Sequence, residues 1–255
     1  MIKYIFSINT GRSGSHYLSK MLQNVEGINS FHEPYPVMNG YPMIKYLKGK
    51  EKELRSQMPE KLRQIEKNLD NGKVYVETNH MFIKGFGWLI PENIPQENIG
   101  VVLIKKNKTE VAKSHYRIFC SPLSIFGKLW LMFPTMKNPI NKFSKPEILK
   151  YRLYFFINRF LMSRYNPFKD LKLERRIFKS YELKLLEWYV EETYSQAERF
   201  RRKYPKIKVF ETTIEKLNDV EEYERLFKFF KLEFKPKDSF FEKLNTRTNL
   251  KRIAS

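Results

Sequence analysis

Cysteine and long apolar runs are scarce in this chain of 255 residues. Its single cysteine, Cys120, excludes a disulfide framework and a cysteine-rich zinc site. No window approaches the roughly 18 consecutive apolar residues of a membrane span, and the first apolar stretch is too short for a secretory signal. We therefore expect a cytoplasmic protein.

Glycine is missing from the second half of the chain. All ten glycines lie at or before Gly127. Because glycine serves tight turns and close backbone approach to ligands, turn chemistry belongs to the first half, and the second half is predicted to be largely helical. The chain has no internal repeat and no linker-like segment, which favours a single domain over residues 1–255.

Acidic residues are outnumbered by basic ones. The chain has 48 lysines and arginines against 28 aspartates and glutamates, which gives a formal net charge of +20. This excess predicts an anionic partner: a nucleotide, a nucleic acid, an acidic glycan or an anionic membrane surface. Hydrophobic residues make up 42% of the chain, which suffices for a sizeable core and excludes disorder throughout.

Five short apolar runs, several of them followed by helical patterns, indicate an α/β fold with a parallel sheet covered by helices on both faces. We predict strands over residues 3–8, 27–31, 73–77, 99–104 and 206–212. Residues 118–182, in which aromatic residues alternate with lysine and arginine, fit this scheme less well. They are interpreted either as a core of packed helices or as a cap that binds an acceptor or rests on an anionic surface.

Each of the four histidines follows one of the first four predicted strands; they are His16, His32, His80 and His115. Ligands of open parallel sheets bind at the carboxyl ends of the strands, so these side chains are candidates for a site there. They lack the short spacings of a metal site, and we predict no metal.

The loop after the first strand, residues 10–16, has the layout of a phosphate cradle. Gly11 and Gly14 allow backbone amides to converge on an anion at a helix N-terminus, and Arg12 adds a positive charge. The loop lacks the Gly-Lys-Ser/Thr ending of a nucleotide kinase, and no aspartate follows a strand to hold magnesium. Lys105 and Lys106 after the fourth strand form a second anion-binding feature.

These features resemble the sulfotransferases that use 3′-phosphoadenosine 5′-phosphosulfate (PAPS) as donor. The 5′-phosphosulfate loop of that family is similar to a run of seven residues: Gly11, Arg12, Ser13, Gly14, Ser15, His16 and Tyr17. Its 3′-phosphate segment resembles residues 106–114, with Ser114 at the family's spacing and Lys106 where arginine is usual. A basic C-terminal segment that closes over the donor resembles residues 245–251, which include Arg247.

The resemblance implies a P-loop sulfotransferase-like fold and in-line sulfuryl transfer that releases 3′-phosphoadenosine 5′-phosphate (PAP) and requires no metal. It assigns Arg12 to charge stabilisation and Glu33 to the role of catalytic base, with a pKa raised by partial burial. His32 and His80 are rival bases.

Arg12 and the His32-Glu33-Pro34 segment resemble the carbohydrate- and protein-modifying members more than the aryl-type members. The implied acceptor is a hydroxyl of a polysaccharide or glycolipid. We expect no nucleic-acid partner, and peripheral contact of the protein with an anionic membrane is compatible with this interpretation. Two alternatives stay open: a non-catalytic binder of acidic polymer or nucleic acid, and a P-loop nucleotide kinase. Steep salt dependence without nucleotide affinity would mark the first alternative, and magnesium dependence the second.

Overall fold

The computed structural model describes residues 1–69, 72–137, 139–162 and 177–244. It contains a five-stranded sheet of order β2-β3-β1-β4-β5, in which every neighbouring pair is parallel. The strands are β1 (Tyr4–Ile8), β2 (Ile28–His32), β3 (Val74–Thr78), β4 (Ile99–Lys105) and β5 (Lys208–Thr213). The five strands predicted from the sequence and their parallel arrangement are thereby confirmed.

The helices are formed by the polar and amphipathic segments that lie between the strands and after the last strand. They are α1 (Ser15–Leu22), α2 (Tyr41–Leu47), α3 (Lys52–Asn68), α4 (Ile90–Asn93), α5 (Lys108–Arg117), α6 (Ile125–Trp130), α7 (Lys145–Leu161), α8 (Lys179–Lys203), α9 (Val220–Phe230) and α10 (Asp238–Lys243). Within the described part of the chain after Gly127, β5 is the one strand, so the prediction of a largely helical second half is confirmed.

The central strands are apolar because both faces of the sheet are covered. In β4 every residue except the last is buried, whereas exposed and buried positions mix along the edge strand β5. On one face Ile5 and Val76 pack with side chains of α1, α9 and α10 in a single apolar cluster. On the other face Phe6 stacks on Phe82, with ring centroids 4.9 Å apart, and Phe82 contacts Phe200.

Contacts divide the chain into two compact units. The first comprises Met1–Val37, Gln57–Lys106 and the chain from Ala197 onward, and it contains the whole sheet. The second comprises Met38–Ser56 and Asn107–Gln196 and is helical in its described part.

In the second unit, helix ends and one buried carboxylate organise the backbone. The Asn107 side chain caps α5 by accepting hydrogen bonds from two backbone amides of its first turn, and Ser144 caps α7 with a capping box. The fully buried carboxylate of Glu192 accepts hydrogen bonds from the amides of Ile140 and Asn141. Burial raises the pKa of Glu192, against the effect of these hydrogen bonds.

The described residues between 118 and 182 have features of both a helical core and a contact surface, the two interpretations of that segment. Phe133 and Tyr151 are buried, with stacked rings whose centroids lie 6.5 Å apart, as a helical core requires. Phe126, Phe156 and Phe160 are exposed, as a contact surface requires. No helix of the described residues is both long enough and apolar enough to cross a membrane.

Candidate active site

The loop after β1 has an unusual backbone at the residues that the sequence singles out. Gly11, Arg12 and Gly14 all have positive φ, at 69°, 55° and 97°. This region suits glycine, but it costs a residue with a Cβ of order 1 kcal/mol or more, so Arg12 is strained. Glu33 shares the same strain with φ 50°. Two predicted catalytic residues therefore lie in backbone conformations that a folded chain rarely keeps without a reason.

Gly14 is required for a second reason, because it lies against the side chain of Ile214. A Cβ built on Gly14 would lie 2.2 Å from Cδ1 of Ile214, far inside van der Waals contact. Gly14 is also the N-cap of α1 and provides no side-chain cap. The first turn of α1 therefore keeps backbone donors that point out of the helix end and can meet an anion.

Ser13 carries a buried hydroxyl group that no other described residue satisfies. Its side chain is fully buried, and within the described residues its Oγ has no hydrogen-bond partner. A buried hydroxyl without a partner costs about 1–3 kcal/mol, so native structures rarely keep one without a function. An oxyanion held in the loop would supply the missing partner, and in this respect the residues present fit a phosphosulfate group.

A buried hydrogen-bond chain fixes this loop to the end of β3. The Gly11 amide donates to Oδ1 of Asn9 at 3.0 Å, and Nδ2 of Asn9 donates to Oγ of Ser7 at 2.8 Å. Oγ of Ser7 also accepts from the Asn79 amide at 2.9 Å. Asn9 and Asn79 were not singled out from the sequence as site residues, although Asn9 directly follows a predicted strand and Asn79 comes two residues after the end of another.

An ion pair between Lys61 and Glu77 supports this set of hydrogen bonds, and both of its side chains are only 1% exposed. Nζ of Lys61 is 2.7 Å from Oε2 of Glu77, and the same carboxylate accepts from Tyr75 OH at 2.8 Å and Asn79 Nδ2 at 3.0 Å. Burial, then the charge of Glu77, raises the pKa of Tyr75 and keeps its hydroxyl a donor. The carboxylate is fully satisfied, which is what makes a buried charge tolerable.

Glu33 and His80 form the central pair of the site. Nδ1 of His80 lies 2.5 Å from Oε1 of Glu33. Because an ionised carboxylate has no hydrogen to give, Nδ1 of His80 is the donor in this contact. The hydrogen bond fixes the orientation of the imidazole ring and its tautomer.

The charges around this pair decide which member holds a proton. Burial raises the pKa of Glu33, but the hydrogen bond from His80 and neighbouring positive charge outweigh it and lower the pKa to about 2. The prediction of a raised pKa at Glu33 is therefore wrong, because burial is not the only influence on this carboxylate. Burial, then the charge of Lys84, lowers the pKa of His80 to about 4, against the opposing effect of Glu33. At neutral pH the pair consists of a carboxylate and a neutral imidazole.

Two further histidines complete the cluster at this edge of the sheet. Nδ1 of His32 is 3.0 Å from Oγ1 of Thr78, and Nε2 of His32 is 4.0 Å from Oε1 of Glu33. The ring of His16 meets that of His32 edge to face, with centroids 4.8 Å apart. Burial, then the proximity of His32, lowers the pKa of His16. Three of the four histidines thus cluster with Glu33, as the strand ends predict, while His115 is buried in the second unit.

Lys84 is a member of the site that was not found from the sequence. It is fully buried in a short 3₁₀ helix, Phe82–Lys84, and its Nζ donates to Sδ of Met81 at 3.7 Å. Its charge lowers the pKa of both Glu33 and His80. The only sequence signal is a lysine within an otherwise apolar run, which is normally assigned to solvent.

The remaining predicted donor residues have different surroundings. Ser15 and Tyr17 are buried on α1, and the ring of Tyr17 belongs to the apolar cluster. Lys106 ends the Gln57–Lys106 segment of the first unit, whereas Ser114 belongs to α5 in the second, so their common role in holding a 3′-phosphate stays a prediction. Arg247 lies outside the described residues.

Metal ligands are not grouped in this site. Among residues 1–69, 72–137, 139–162 and 177–244, no three histidine, cysteine, aspartate or glutamate side chains are placed so that they could hold a metal ion. The polar groups at the ends of the neighbouring strands β2, β3 and β1 are instead a carboxylate, an imidazole and the hydroxyl and amide donors of the loop.

Comparison with known proteins agrees with this architecture. No family model and no curated protein matches the chain. Among solved structures, a sulfotransferase domain from the curacin biosynthetic pathway matches with a TM-score of 0.52 and 11% identity, over 96% of this chain and 79% of that one. A sulfotransferase from Alicyclobacillus acidocaldarius matches with a TM-score of 0.47 and 14% identity, over 96% of this chain and 90% of that one. The first match shows that the chain has a sulfotransferase fold, which confirms the fold that the sequence motifs resemble.

Proposed function

We propose that this protein is a sulfotransferase that moves a sulfuryl group from PAPS to a hydroxyl of a carbohydrate acceptor. The observation that carries the proposal is the juxtaposition, on a sulfotransferase fold, of a strained loop with an unsatisfied Ser13 hydroxyl and a Glu33–His80 pair. The first can receive an anion, and the second can receive a proton.

Residues of the first loop would hold the 5′-phosphosulfate of the donor. The amides of the loop and of the first turn of α1 supply hydrogen bonds to its oxygens, Ser13 Oγ gains its missing partner, and Arg12 stabilises charge on the departing phosphate. PAPS supplies an activated sulfuryl group, and PAP is the other product. Lys106, Ser114 and Arg247 are assigned to the 3′-phosphate on the sequence resemblance alone.

The Glu33–His80 pair would remove the acceptor proton. A general base works best when its pKa is near the working pH, so a carboxylate with a pKa of about 2 is a weak base by itself. The neutral imidazole of His80 is the stronger base of the two. In this arrangement Glu33 orients His80 and balances its charge once it takes the proton, as the carboxylate of a catalytic triad does. Direct proton abstraction by Glu33, as the resemblance implies, and abstraction by His32 are the competing assignments.

The chemical step balances with these residues alone. As the acceptor oxygen forms a bond to sulfur, the bond between sulfur and the bridging phosphate oxygen breaks, and the hydroxyl proton passes to the base. Positioning and charge stabilisation supply most of the acceleration in such a transfer.

We also propose that the acceptor is a carbohydrate and that the protein is cytoplasmic. Support for the acceptor comes from Arg12 and the His32-Glu33-Pro34 segment, which resemble carbohydrate-modifying sulfotransferases. The net charge of +20 suits an acceptor that is itself acidic, such as an anionic polysaccharide.

Calorimetric titration in EDTA tests donor binding. We expect PAP to bind in the absence of metal and more tightly than ADP, AMP or ATP, since those lack the 3′-phosphate. Ser13→Ala should weaken PAP binding about tenfold, the value of a hydrogen bond to a charged group. Ser19→Ala is the matched control, because that buried hydroxyl, on helix α1 after the loop, is already bonded to Oγ of Ser30 at 3.1 Å.

Other outcomes identify the alternatives. Binding of ATP only with magnesium would indicate a kinase. Steeply salt-dependent binding of acidic polymers without any nucleotide affinity would indicate a non-catalytic binder. If PAP binds, transfer of label from PAPS to polysaccharide, glycolipid and phenol acceptors then tests the acceptor class.

A further inference from the structure

Helix α7 presents a stripe of large apolar side chains to solvent. The stripe consists of Leu149, Leu153, Phe156, Ile157 and Phe160, which are between 36% and 71% exposed. Their spacing of three and four residues places them on one face of the helix, over a length of about 17 Å. Scattered exposed leucines are ordinary, but a continuous stripe with two phenylalanines marks an interaction surface.

The opposite face of α7 is buried and held in place. Tyr151 OH donates to the carbonyl oxygen of Pro122 at 2.9 Å, and Nδ2 of Asn158 donates to that of Leu123 at 3.1 Å. Ile148 and Leu161 are buried on the same side. Since these contacts fix the rotation of the helix, the apolar stripe cannot turn inward without breaking them.

Positive charges flank the stripe on both sides. At 3.6 residues per turn, Arg152 and Arg159 lie along one edge and Lys150 along the other. Neither arginine takes part in an ion pair within the described residues. The one acidic residue of α7, Glu147, is used in the capping box with Ser144. The outer surface of α7 is therefore apolar in the middle and cationic along its edges.

We propose that this stripe docks onto the surface of an anionic lipid bilayer. Apolar side chains between basic edges are the arrangement of helices that lie in a membrane interface, where leucine and phenylalanine enter the acyl boundary while lysine and arginine reach the headgroups. Each such cation strengthens binding to an anionic leaflet about fivefold. A second copy of the chain fits less well, because pairing two stripes would bring like charges together along both edges. The inference does not depend on the proposed transferase activity.

Vesicle co-sedimentation of the full chain tests the proposal. We expect binding to vesicles of phosphatidylcholine with 30% phosphatidylglycerol and weak binding to pure phosphatidylcholine. Leu153→Ser with Phe156→Ser should reduce binding to the anionic vesicles at least tenfold. Arg152→Gln with Arg159→Gln should reduce it by a factor of about 30, because two headgroup attractions are lost. Phe241→Ser, at a similarly exposed phenylalanine of α10, is the matched control and should bind as the wild type does.

The Leu153/Phe156 variant separates insertion of α7 from attraction by net charge, because it leaves the charge unchanged, and Phe241→Ser shows whether the loss of any exposed phenylalanine has the same effect. If the Leu153/Phe156 variant binds as tightly as the wild type, the contact lies elsewhere and the proposal is wrong. Equal binding to neutral and anionic vesicles, or a dimer in light scattering that the same variant abolishes, also overturns it. Phe156→Trp supplies a direct readout: brominated lipid should quench the added fluorescence, whereas Phe241→Trp should add none that is quenched.

Discussion

Each compact unit contains an oppositely charged pair of side chains, and these two pairs differ in their exposure to solvent. In the first unit, Lys61 and Glu77 are buried to 1% exposure, and the carboxylate is further bonded to Tyr75 and Asn79. In the second, Lys108 pairs with Glu191 in solvent, where both are half exposed. The buried pair supports the candidate active site through the hydrogen bonds of Glu77, whereas the exposed pair joins α5 to α8.

Each unit keeps a feature that is unfavourable for the free energy of folding. A buried charge is tolerated in the first unit because the Glu77 carboxylate is fully hydrogen-bonded, and one of these bonds connects it, through Asn79 and Ser7, to the strained loop. The second unit, besides its buried Glu192, keeps a costly feature of the opposite kind, a row of exposed apolar side chains on α7. The first arrangement is typical of an internal site that must stay rigid, and the second of a surface that awaits a partner.

The largest effect is expected when the buried pair is broken. Lys61→Met leaves Glu77 as an uncompensated buried charge, which costs about 3–5 kcal/mol. For a chain of this size the unfolding midpoint should fall by about 10 °C or more, measured by circular dichroism. PAP affinity should fall with it, because Glu77 holds the asparagine that supports the loop.

Two further variants test the contrast between the buried pair and the exposed pair. Lys108→Met, which breaks the exposed pair of the second unit, should leave the unfolding midpoint unchanged. Lys61→Met combined with Glu77→Gln should recover part of the lost stability, because no charge remains buried. A drop for Lys108→Met equal to that for Lys61→Met would contradict the distinction between the two units.

Next in size is the loss of the proton acceptor. His80→Ala should reduce kcat by a factor of about 10²–10⁴ with little change in PAP affinity. Glu33→Gln should also reduce kcat, and the ratio of the two effects tests the assignment: a larger loss for His80→Ala favours His80 as the base. His115→Ala, in the second unit, is a control for replacing a buried histidine. Normal turnover in both site variants would exclude the pair from catalysis.

The pH dependence of the same reaction is a milder test. With His80 as the proposed base, activity requires its neutral form, so kcat/KM should be level above about pH 5 and fall as the pH drops through about 4, well below the 6.5 of an ordinary histidine. Glu33→Gln should shift this fall to lower pH, since Glu33 raises the pKa of His80. A fall centred at pH 6.5 in the wild type would mean that a solvated histidine is the base.

Acid unfolding is the control for that profile. The pKa of His80 in the folded chain, about 4, lies below the ordinary 6.5, so an unfolded chain takes up the proton first and stability falls as the pH drops between those values. Glu33 has the same sign, with stability lost between about 4.5 and about 2. Unfolding midpoints measured at each pH separate this loss from a titration of the active site.

Much of the fold could be predicted from the sequence, because continuous apolar runs indicate strands and the glycines indicate the loop after β1. Clustering of His16, His32 and His80 also follows from their positions after parallel strands. The pKa of Glu33 could not be predicted, because it depends on the contact with His80, 47 positions along the chain. Lys84 and Lys61 were missed for the same reason: lysine normally indicates solvent, and only the tertiary fold shows that these two are buried.

The smallest effect is expected on the outer face of α7. Leu153→Ser with Phe156→Ser should change the free energy of unfolding by no more than about 0.5 kcal/mol per site, because exposed side chains lose little on folding. Leu161→Ser, on the buried face of the same helix, should cost about 2–5 kcal/mol, as removal of a buried leucine does. Urea unfolding of the two variants compares the faces directly. If the exposed pair proved as costly as Leu161, the stripe would be part of the core, and its proposed role at a membrane surface would lose its basis.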